Sequence, residues 1–140
     1  MFRIELMEWE QAQPIAGPIR FSIFVGEQNV PPGIELDDLD ANCRHAVAFG
    51  PDGKAIGTGR LLPEGKIGRM AVVKEWRRQG VGAALLEALV AEARQRGHAE
   101  VVLSAQLQAA EFYREHGFTA EGKVYQDAGI LHQDMRKALK

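Results

Sequence analysis

A short stretch in the middle of the chain combines basic side chains with glycines in a pattern suited to binding phosphate. Arg77 and Arg78 come shortly before Gly80 and Gly82, where an amphipathic helical pattern begins. The first four N–H groups of a helix have no partner within it, and the helix dipole adds partial positive charge at that end. The two glycines leave the backbone accessible, and the arginines add formal charge. The segment therefore predicts a site for a di-anion such as a pyrophosphate.

Three nucleotide-binding motifs compete for this segment. A P-loop requires a Lys-Ser/Thr pair after its second glycine, where this chain has Ala83 and Ala84, and the dinucleotide fingerprint requires a third glycine, where it has Leu85. The pattern that remains is Arg-x-x-Gly-x-Gly after a predicted strand. A helix start that merely contains glycines, beside solvated arginines, is the alternative without a function.

A second segment, nearer the C-terminus, carries an aromatic pair. Ala109, Phe112 and Tyr113 share one face of a short helix predicted over residues 108–116, and Gly117 ends that helix. A tyrosine phenol is protonated at neutral pH and can donate a proton. Two adjacent aromatics are, however, more often core residues, so the pair by itself does not indicate a site.

The elements that position these segments follow from hydrophobic periodicity and turn residues. The pattern predicts helices at residues 18–25, 80–96 and 108–116. It predicts strands at residues 3–6, 45–49, 55–62, 66–73, 100–105, 118–124 and 130–135. The strands at 45–73 form an antiparallel meander, and the helix at 80–96 makes the strands on either side of it parallel. The predicted fold is α/β with a mixed central sheet.

The two segments, in this order and at this spacing, resemble the two signatures of the GNAT acetyltransferases. The likeness extends over nearly the whole chain to the ElaA-like branch of that family. It rests on the two motifs above and on residues 20–31, 44–45, 67–69, 105–106 and 127–132, where Leu131 replaces a common proline. The resemblance implies a GNAT fold over residues 1–140, with splayed parallel strands and flanking helices. It also implies an acetyl-CoA-dependent N-acetyltransferase in which a primary amine attacks the thioester directly.

The resemblance implies roles for residues at matching positions. Backbone groups of Met70, Ala71 and Val72 would face the pantetheine arm of acetyl-CoA, and one of their N–H groups would polarise the thioester carbonyl. Gln106 stands where many relatives have a pantetheine-contacting asparagine, and Tyr113 stands at the position of the general acid. The pyrophosphate would be held by the helix-start segment, namely Arg77, Arg78, Gln79, Gly80, Val81, Gly82 and Ala83.

The group that takes the proton from the amine is left open by the sequence. Many relatives have a glutamate on the strand before the helix-start segment, where this chain has Gly68. The candidates are Glu27, His45, His132 and a chain of water molecules. Glu27 and His132 are also expected to line the acceptor pocket.

Five acidic residues lie on or just before a loop predicted over residues 29–42. They are Glu27, Glu35, Asp37, Asp38 and Asp40. Clustered carboxylates would concentrate and orient a cation. The run therefore favours a small cationic or polar primary amine, free or on a peptide, as the acceptor; a solvated acidic surface is the alternative.

Composition limits the class of protein. A chain of 140 residues with 46% hydrophobic residues can bury one core. A net charge of -2 argues against nucleic acid as a partner. The apolar stretch at 81–93 contains two glutamates and predicts no membrane span. A single cysteine, Cys43, and no signal peptide predict a cytoplasmic protein. Cys43 and His45 lack further ligands nearby, so no metal is expected.

Two other functions stay open at this point. A non-catalytic acyl-CoA sensor would keep the cofactor cleft without turnover; Tyr113 argues against it, and the absent strand glutamate argues weakly for it. A phosphate- or nucleotide-binding module would use only the helix start at Gly80 and Gly82. The sequence names neither the acceptor nor the assembly, for which a homodimer is one option.

Overall fold

A seven-stranded mixed sheet organises the chain in the computed structural model, which describes residues 1–35 and 37–140. Its spatial order is β1-β2-β3-β4-β5-β7-β6. The β4–β5 pair is parallel and every other neighbouring pair is antiparallel. The strands are β1 Arg3–Glu8, β2 Arg44–Phe49, β3 Ala55–Leu61, β4 Lys66–Val72, β5 Glu100–Gln106, β6 Thr119–Asp127 and β7 Ile130–Ala138. The predicted mixed α/β architecture and its antiparallel meander are confirmed.

Helices cover both faces of this sheet. They are α1 Trp9–Arg20, which continues as a π-helical segment Phe21–Glu27, then α2 Pro32–Glu35, α3 Val81–Gln95 and α4 Ala110–Glu115. Short 3-10 turns occur at Asp40–Asn42, Lys74–Trp76 and Leu107–Ala109. The predicted loop over residues 29–42 is thus partly helical in its described residues, and residue 36 lies outside them.

The first helix begins nine residues earlier than the sequence pattern predicts. Pro18, the first residue of the predicted helix, lies inside α1 together with Pro14. Each proline removes one N–H donor from the helix, which normally disfavours its interior. Ala12 and Ala16 are fully buried on the face that meets the sheet. Packing of this face therefore overrides the local preference, and the predicted start at residue 18 was wrong.

Alternation along the last strands assigns their side chains to opposite faces of the sheet. Val101, Leu103 and Ala105 of β5 belong to the core cluster formed with α3, and so does Met135 of β7. Side chains one position away on a strand point to the other face. That face is covered by the α1 and π-helical segment, where a second cluster of Ile23, Phe24, Val30 and Ala71 is buried. The sheet therefore separates two chemically distinct sides.

The parallel strands β4 and β5 pair over only two positions. Lys66 lies opposite Val102 and Ile67 opposite Leu103, and the pairing ends there. The later residues of the two strands diverge. This is the splayed pair that the resemblance implied, and it opens the sheet between its two covered faces.

The acidic run is not a cluster of free carboxylates, and the prediction that it concentrates a cation was wrong for three of its five members. The guanidinium group of Arg20, which is 1% exposed, lies between Glu35 and Asp40. Its Nε donates to Glu35 Oε1 at 2.6 Å, and its two terminal nitrogens donate to Asp40 at 2.9 and 3.0 Å. Glu35 and Asp40 are themselves buried, at 3% and 2% exposure. They neutralise a buried arginine and do not face solvent.

Two further arginines extend these ion pairs into a network on β3 and β4. Arg60 donates to both oxygens of Asp37 at 2.9 Å and to Asp40 at 2.8 Å. Arg69 donates to Asp37 at 3.1 Å. We call these six residues the arginine–carboxylate network: Arg20, Arg60, Arg69, Glu35, Asp37 and Asp40. Three cations and three anions compensate one another, which ties α1 and the loop before β2 to the sheet.

The arginines of the network lower the pKa values of Asp37 and Asp40. The hydrogen bonds from Arg60 hold the pKa of Asp37 at about 2, against a usual value of 3.8. Burial acts to raise the pKa of Asp40, but hydrogen bonds from Arg20 and Arg60 outweigh it and leave that pKa lowered. Both carboxylates are therefore anionic at neutral pH.

Replacing Asp40 by asparagine should lower the free energy of unfolding by about 3–5 kcal/mol, because two buried guanidinium groups lose their shared carboxylate. Asp38 is exposed and outside the network, so Asp38→Asn should change stability by no more than about 0.5 kcal/mol. Urea denaturation at pH 7 measures both. Equal losses in the two variants would contradict the assigned network.

The free energy of unfolding should also decrease as the pH is lowered, because Asp37 becomes protonated. Because the pKa of Asp37 is about 2 in the folded protein and 3.8 normally, its ionised carboxylate stabilises fully above 3.8. This stabilisation disappears as the pH falls towards 2. The stability gap between the wild type and Asp37→Asn should therefore narrow as denaturation is repeated from pH 5 down to pH 2. A gap that stays constant over this range would show that Asp37 is not held ionised by its partners.

Candidate active site

A cavity of about 470 Å³ lies where β4 and β5 part. Residues 67–72 of β4 form one wall, and Leu103, Ser104 and Gln106 of β5 form the other. The π-helical segment and the turn between β6 and β7 close its sides. The cavity therefore occupies the gap that a continuous ladder of strands would have filled.

A bulge in β4 turns the strand as it enters the cavity. Gly68 lies opposite Arg60 and Ala71 opposite Thr58, so β4 has one residue more than β3 between these pairs. Arg69 within it has a left-handed φ of 51°. A bulge bends its strand and changes where backbone groups point. Of the predicted pantetheine-facing residues, Met70 lies in the bulge, Ala71 and Val72 follow it directly, and all three line the cavity.

The helix start predicted to bind pyrophosphate has free backbone donors. The N-cap residue of α3, Gly80, has φ 87° and makes no side-chain capping hydrogen bond. A side chain at this φ would be strained, so glycine is strongly favoured here. The N–H of Ala84 bonds to the Gly80 carbonyl at 3.1 Å, which leaves the preceding amides of the first turn, including those of Val81, Gly82 and Ala83, without a helical partner. The exposure of Arg78, Gln79 and Gly80 keeps this end open to solvent.

Arg77 links the end of β4 to the π-helical segment at one end of the cavity. Its Nε donates to the carbonyl oxygen of Val72 at 2.9 Å, and its Nη2 donates to Glu27 at 2.8 Å. Arg77 and Glu27 both line the cavity, and both are about 40% exposed. The ion pair therefore connects the end of β4 to the π-helical segment, while part of the guanidinium stays accessible to a ligand.

Tyr113 reaches the cavity from the α4 side. Its side chain is buried at 9% exposure and lines the cavity. The rings of Phe112 and Phe118 contact it edge-on, with centroids 5.1 and 5.9 Å away. Burial raises the pKa of Tyr113 to about 12. The phenol is therefore protonated at neutral pH and can act only as a proton donor.

Polar side chains meet the cavity from the opposite face of the sheet. The amide nitrogen of Gln106 donates to Gln28 at 2.7 Å, and its amide oxygen accepts from Gln108 at 2.6 Å. His132 of β7 lies beside Gln106 in the sheet and also lines the cavity. The two residues, predicted from distant parts of the sequence, are thus brought together.

His45 is not part of the cavity, and its candidacy as the base was wrong. Its ring is 1% exposed, bonds to the carbonyl oxygen of Asp40 at 3.0 Å and lies against Trp9 at 4.8 Å. Burial lowers the pKa of His45, which keeps the ring neutral. Its role is to support the loop beside the arginine–carboxylate network.

Sequence reasoning missed most of the apolar wall. Ile23, Phe24, Val30, Ala128 and Ile130 line the cavity from the π-helical segment and the β6–β7 turn. These elements lie about a hundred residues apart in the chain, and no local pattern indicates that they meet. Ser104 was missed too, although its position two residues before Gln106 on β5 places it on the same face.

Neither a membrane-spanning helix nor a metal-binding group of side chains is found in the described part of the chain. Within residues 1–35 and 37–140, no helix is long and apolar enough to cross a bilayer. In the same part of the chain, no three His, Cys, Asp or Glu side chains are grouped to hold a metal ion.

Comparison with known proteins agrees with this geometry. The family model described as an acetyltransferase (GNAT) domain matches residues 36–139. The uncharacterized N-acetyltransferase YjcF of Bacillus subtilis (strain 168) is 38% identical over 123 residues, covering 85% of this chain and 87% of YjcF. A crystal structure of an acyl-CoA N-acyltransferase from Pseudomonas aeruginosa superimposes with a TM-score of 0.87 at 30% identity, covering 99% of this chain and 100% of that one. The crystal structure of Escherichia coli ElaA has the same fold, with a TM-score of 0.86 at 24% identity over 98% of this chain and 99% of ElaA.

The parted strands, the open helix start and the buried tyrosine therefore occur in a chain whose sequence and fold match one family over most of its length. The protein belongs to the GNAT family of N-acetyltransferases.

Proposed function

We propose that the protein transfers an acetyl group from acetyl-CoA to a primary amine, which attacks the thioester carbonyl directly within the cavity. The observation that carries this proposal is the gap between β4 and β5, which holds backbone groups of Met70–Val72 on one side and Tyr113 at its border. Acetyl-CoA supplies the activated acyl group. The chain supplies a slot, an anion site and a proton donor.

The residues present fit acetyl-CoA along the length of this slot. An extended amide-containing arm can pair with strand edges as a further strand would, and β4 and β5 leave such edges unpaired beyond Ile67 and Leu103. We assign the arm to Met70, Ala71, Val72 and Gln106. One backbone N–H of this β4 stretch polarises the thioester carbonyl, as an oxyanion donor does.

The pyrophosphate is assigned to the start of α3. Gly80 and Gly82 keep that end free of side chains, and the dipole of α3 favours a di-anion there. Arg77 and Arg78 add formal charge, and the remaining members of the segment contribute backbone N–H groups. These members are Gln79, Val81 and Ala83.

Tyr113 is assigned as the general acid for the departing thiolate. Its raised pKa keeps the proton on the phenol at every physiological pH. Burial also limits competition from water for the same hydrogen bond. A protonated donor at the border of the slot matches the need of the breaking C–S bond.

The structure changes what we propose for the acceptor. Three of the five acidic residues are neutralised by arginines, so the run offers no cluster of free carboxylates to a cationic amine. The acceptor side is instead formed by the apolar cluster around Ile23, Phe24 and Val30, with Glu27 and His132 as polar groups at the cavity. We therefore propose a small primary amine carried on an apolar body.

We further propose that residues 1–140 act as one domain in the cytoplasm. One continuous sheet connects both ends of the chain. Burial raises the pKa of the single thiol, Cys43, to about 11, which makes it unreactive. A reducing compartment fits a chain that uses no disulfide.

Gly82→Val should weaken acetyl-CoA binding by more than tenfold while the protein stays folded. A Cβ at Gly82 lies 3.6 Å from Phe112 and 3.9 Å from Val72, so the fold tolerates it, but the branched side chain covers the open helix start. Calorimetric titration measures the affinity, with Ala88→Val on the same helix as the matched control. A folded Gly82→Val protein with an unchanged dissociation constant would remove the pyrophosphate assignment.

Turnover of acetyl-CoA should be detected as thiol release with one or more members of a panel of alkyl and aryl primary amines. Tyr113→Phe should lower kcat for the best amine by about 10²–10⁴-fold, since the donor acts mainly in the transition state. Its acetyl-CoA affinity should stay nearly unchanged. A kcat within twofold of wild type would show that Tyr113 is not the acid. Tight acetyl-CoA binding with no turnover of any amine would favour the acyl-CoA sensor instead.

A further inference from the structure

We propose that His132 takes the proton from the acceptor amine through its Nε2 atom, and that Tyr125 is the positioning residue that holds the imidazole ring for this step. The inference rests on the proposed acetyl transfer. It assigns the base that the sequence left open and adds a residue on β6 that no motif indicates.

One hydrogen bond fixes the proton on the His132 ring. Nδ1 of His132 lies 2.7 Å from the carbonyl oxygen of Ile130. A carbonyl oxygen can only accept, so Nδ1 must carry the hydrogen. The neutral ring then has its lone pair on Nε2. Within residues 1–35 and 37–140, no hydrogen bond or ion pair engages Nε2. A half-buried ring at the cavity is thus held in the tautomer that a base requires.

Tyr125 fixes the plane of that ring. It lies opposite His132 in the β6–β7 ladder, and the two rings stack with centroids 5.9 Å apart and planes 23° apart. The Tyr125 hydroxyl donates to Asp134 at 2.7 Å and is also hydrogen-bonded to Ser104. Ser104 pairs with Asp134 in the neighbouring ladder. Ser104 of β5 and Asp134 of β7 therefore hold the hydroxyl of Tyr125 on β6. The Tyr125 ring in turn packs against one face of the imidazole.

The other candidates for the base are less well placed. The carboxylate of Glu27 accepts from Arg77 at 2.8 Å and is committed to that ion pair. His45 is buried away from the cavity. Charged groups that face the same cavity as His132 are Glu27, Glu35, Arg69, Arg77 and Asp127, and Asp134 lies nearby on β7. Glu27, Glu35, Arg69 and Arg77 are each engaged in an ion pair, whereas the His132 ring is held by the Ile130 carbonyl and keeps its lone pair on Nε2.

The proposed base and acid approach the slot from opposite faces of the sheet. Met135 of β7 points into the α3 core, so His132, three positions away, points to the π-helical face. Tyr113 belongs to the α3 core and borders the slot from that face. A proton can therefore leave the amine on one side while another reaches sulfur on the other side.

The step balances with the groups named. An ammonium acceptor gives one proton to Nε2 of His132, and its nitrogen then forms the C–N bond to the acyl carbon. The C–S bond breaks with its electron pair going to sulfur, which takes the Tyr113 proton. The second proton lost from nitrogen restores the Tyr113 phenol through solvent. His132 releases its proton to solvent, and the products are the acetamide and the free thiol.

The test compares His132→Gln with wild type over pH 6 to 10, using the best amine of the panel. We expect kcat/KM to fall by about 10²–10⁴-fold near neutral pH, and the deficit to shrink as rising pH deprotonates the amine in solution. Acetyl-CoA affinity, measured by calorimetry, should stay within twofold. A variant within twofold of wild type at neutral pH, or a deficit equal at every pH, would overturn the assignment to His132.

His116→Gln is the matched control, because His116 also bonds a backbone carbonyl through Nδ1, at 2.8 Å, and also contacts an aromatic ring, Phe112, but lies outside the cavity. It should keep activity within twofold and a wild-type pH profile. If it reproduces the His132→Gln profile, the effect is structural and the proposal fails.

The role of Tyr125 is tested by two substitutions. Tyr125→Phe keeps the stacked ring and loses its anchors, whereas Tyr125→Ala loses both. We expect kcat to fall in that order, by up to about 10²-fold for alanine, as misplacement of a catalytic group does, with the KM for acetyl-CoA unchanged. A Tyr125→Ala variant within twofold of wild type would overturn the positioning role. Failure of acetyl transfer itself would be seen separately, as a wild type that turns over no amine.

Discussion

The early end of the β4–β5 ladder is the constraint on which the rest of the structure depends. Backbone N–H and C=O groups inside a protein normally find partners, yet these two strands part after Ile67 and Leu103. The bulge at Arg69 turns β4 away and sets the direction in which the following residues enter the gap. A sheet opened in this way offers an extended ligand the hydrogen bonds of a missing strand. The buried tyrosine of α4 lines that opening, and Arg77, shortly before the start of α3 where we propose the pyrophosphate binds, lines it as well.

The arginine–carboxylate network supports the side of the opening that the loop before β2 forms. Arg20 ends α1, Arg60 lies on β3 and Arg69 lies in the bulge of β4, and the carboxylates of one short loop connect all three. Removing a charge from such a buried set leaves its partner uncompensated, which costs more than a single exposed ion pair contributes. Because Glu35 and Arg69 also line the cavity, the same interactions that hold the loop form part of the cavity wall.

The two faces of the sheet present different side chains to the gap. The α3 face is continuous with the apolar core and presents a phenol that burial keeps protonated at neutral pH. The π-helical face presents apolar side chains together with an imidazole whose tautomer is set by the carbonyl of Ile130. The gap is the place where these two environments meet. The acetyl transfer that we propose removes one proton and delivers another, and the two faces keep its two proposed proton carriers apart.

By itself the sequence determined the local features: the glycine and arginine pattern that begins α3, the strand order of the meander, the β–α–β crossover and the position of Tyr113. These follow from neighbouring residues, because helix starts, turns and periodicity are local properties. It could not indicate that α1 begins at Trp9, that Glu35, Asp37 and Asp40 face arginines, or that His132 and not His45 reaches the cavity. Those outcomes depend on partners 15 to 32 residues apart or more, and only the packing of α1 and the loops against the sheet decides which of them meet. The left-handed bulge at Arg69 belongs with them, since packing around a residue of poor local preference is what holds it there.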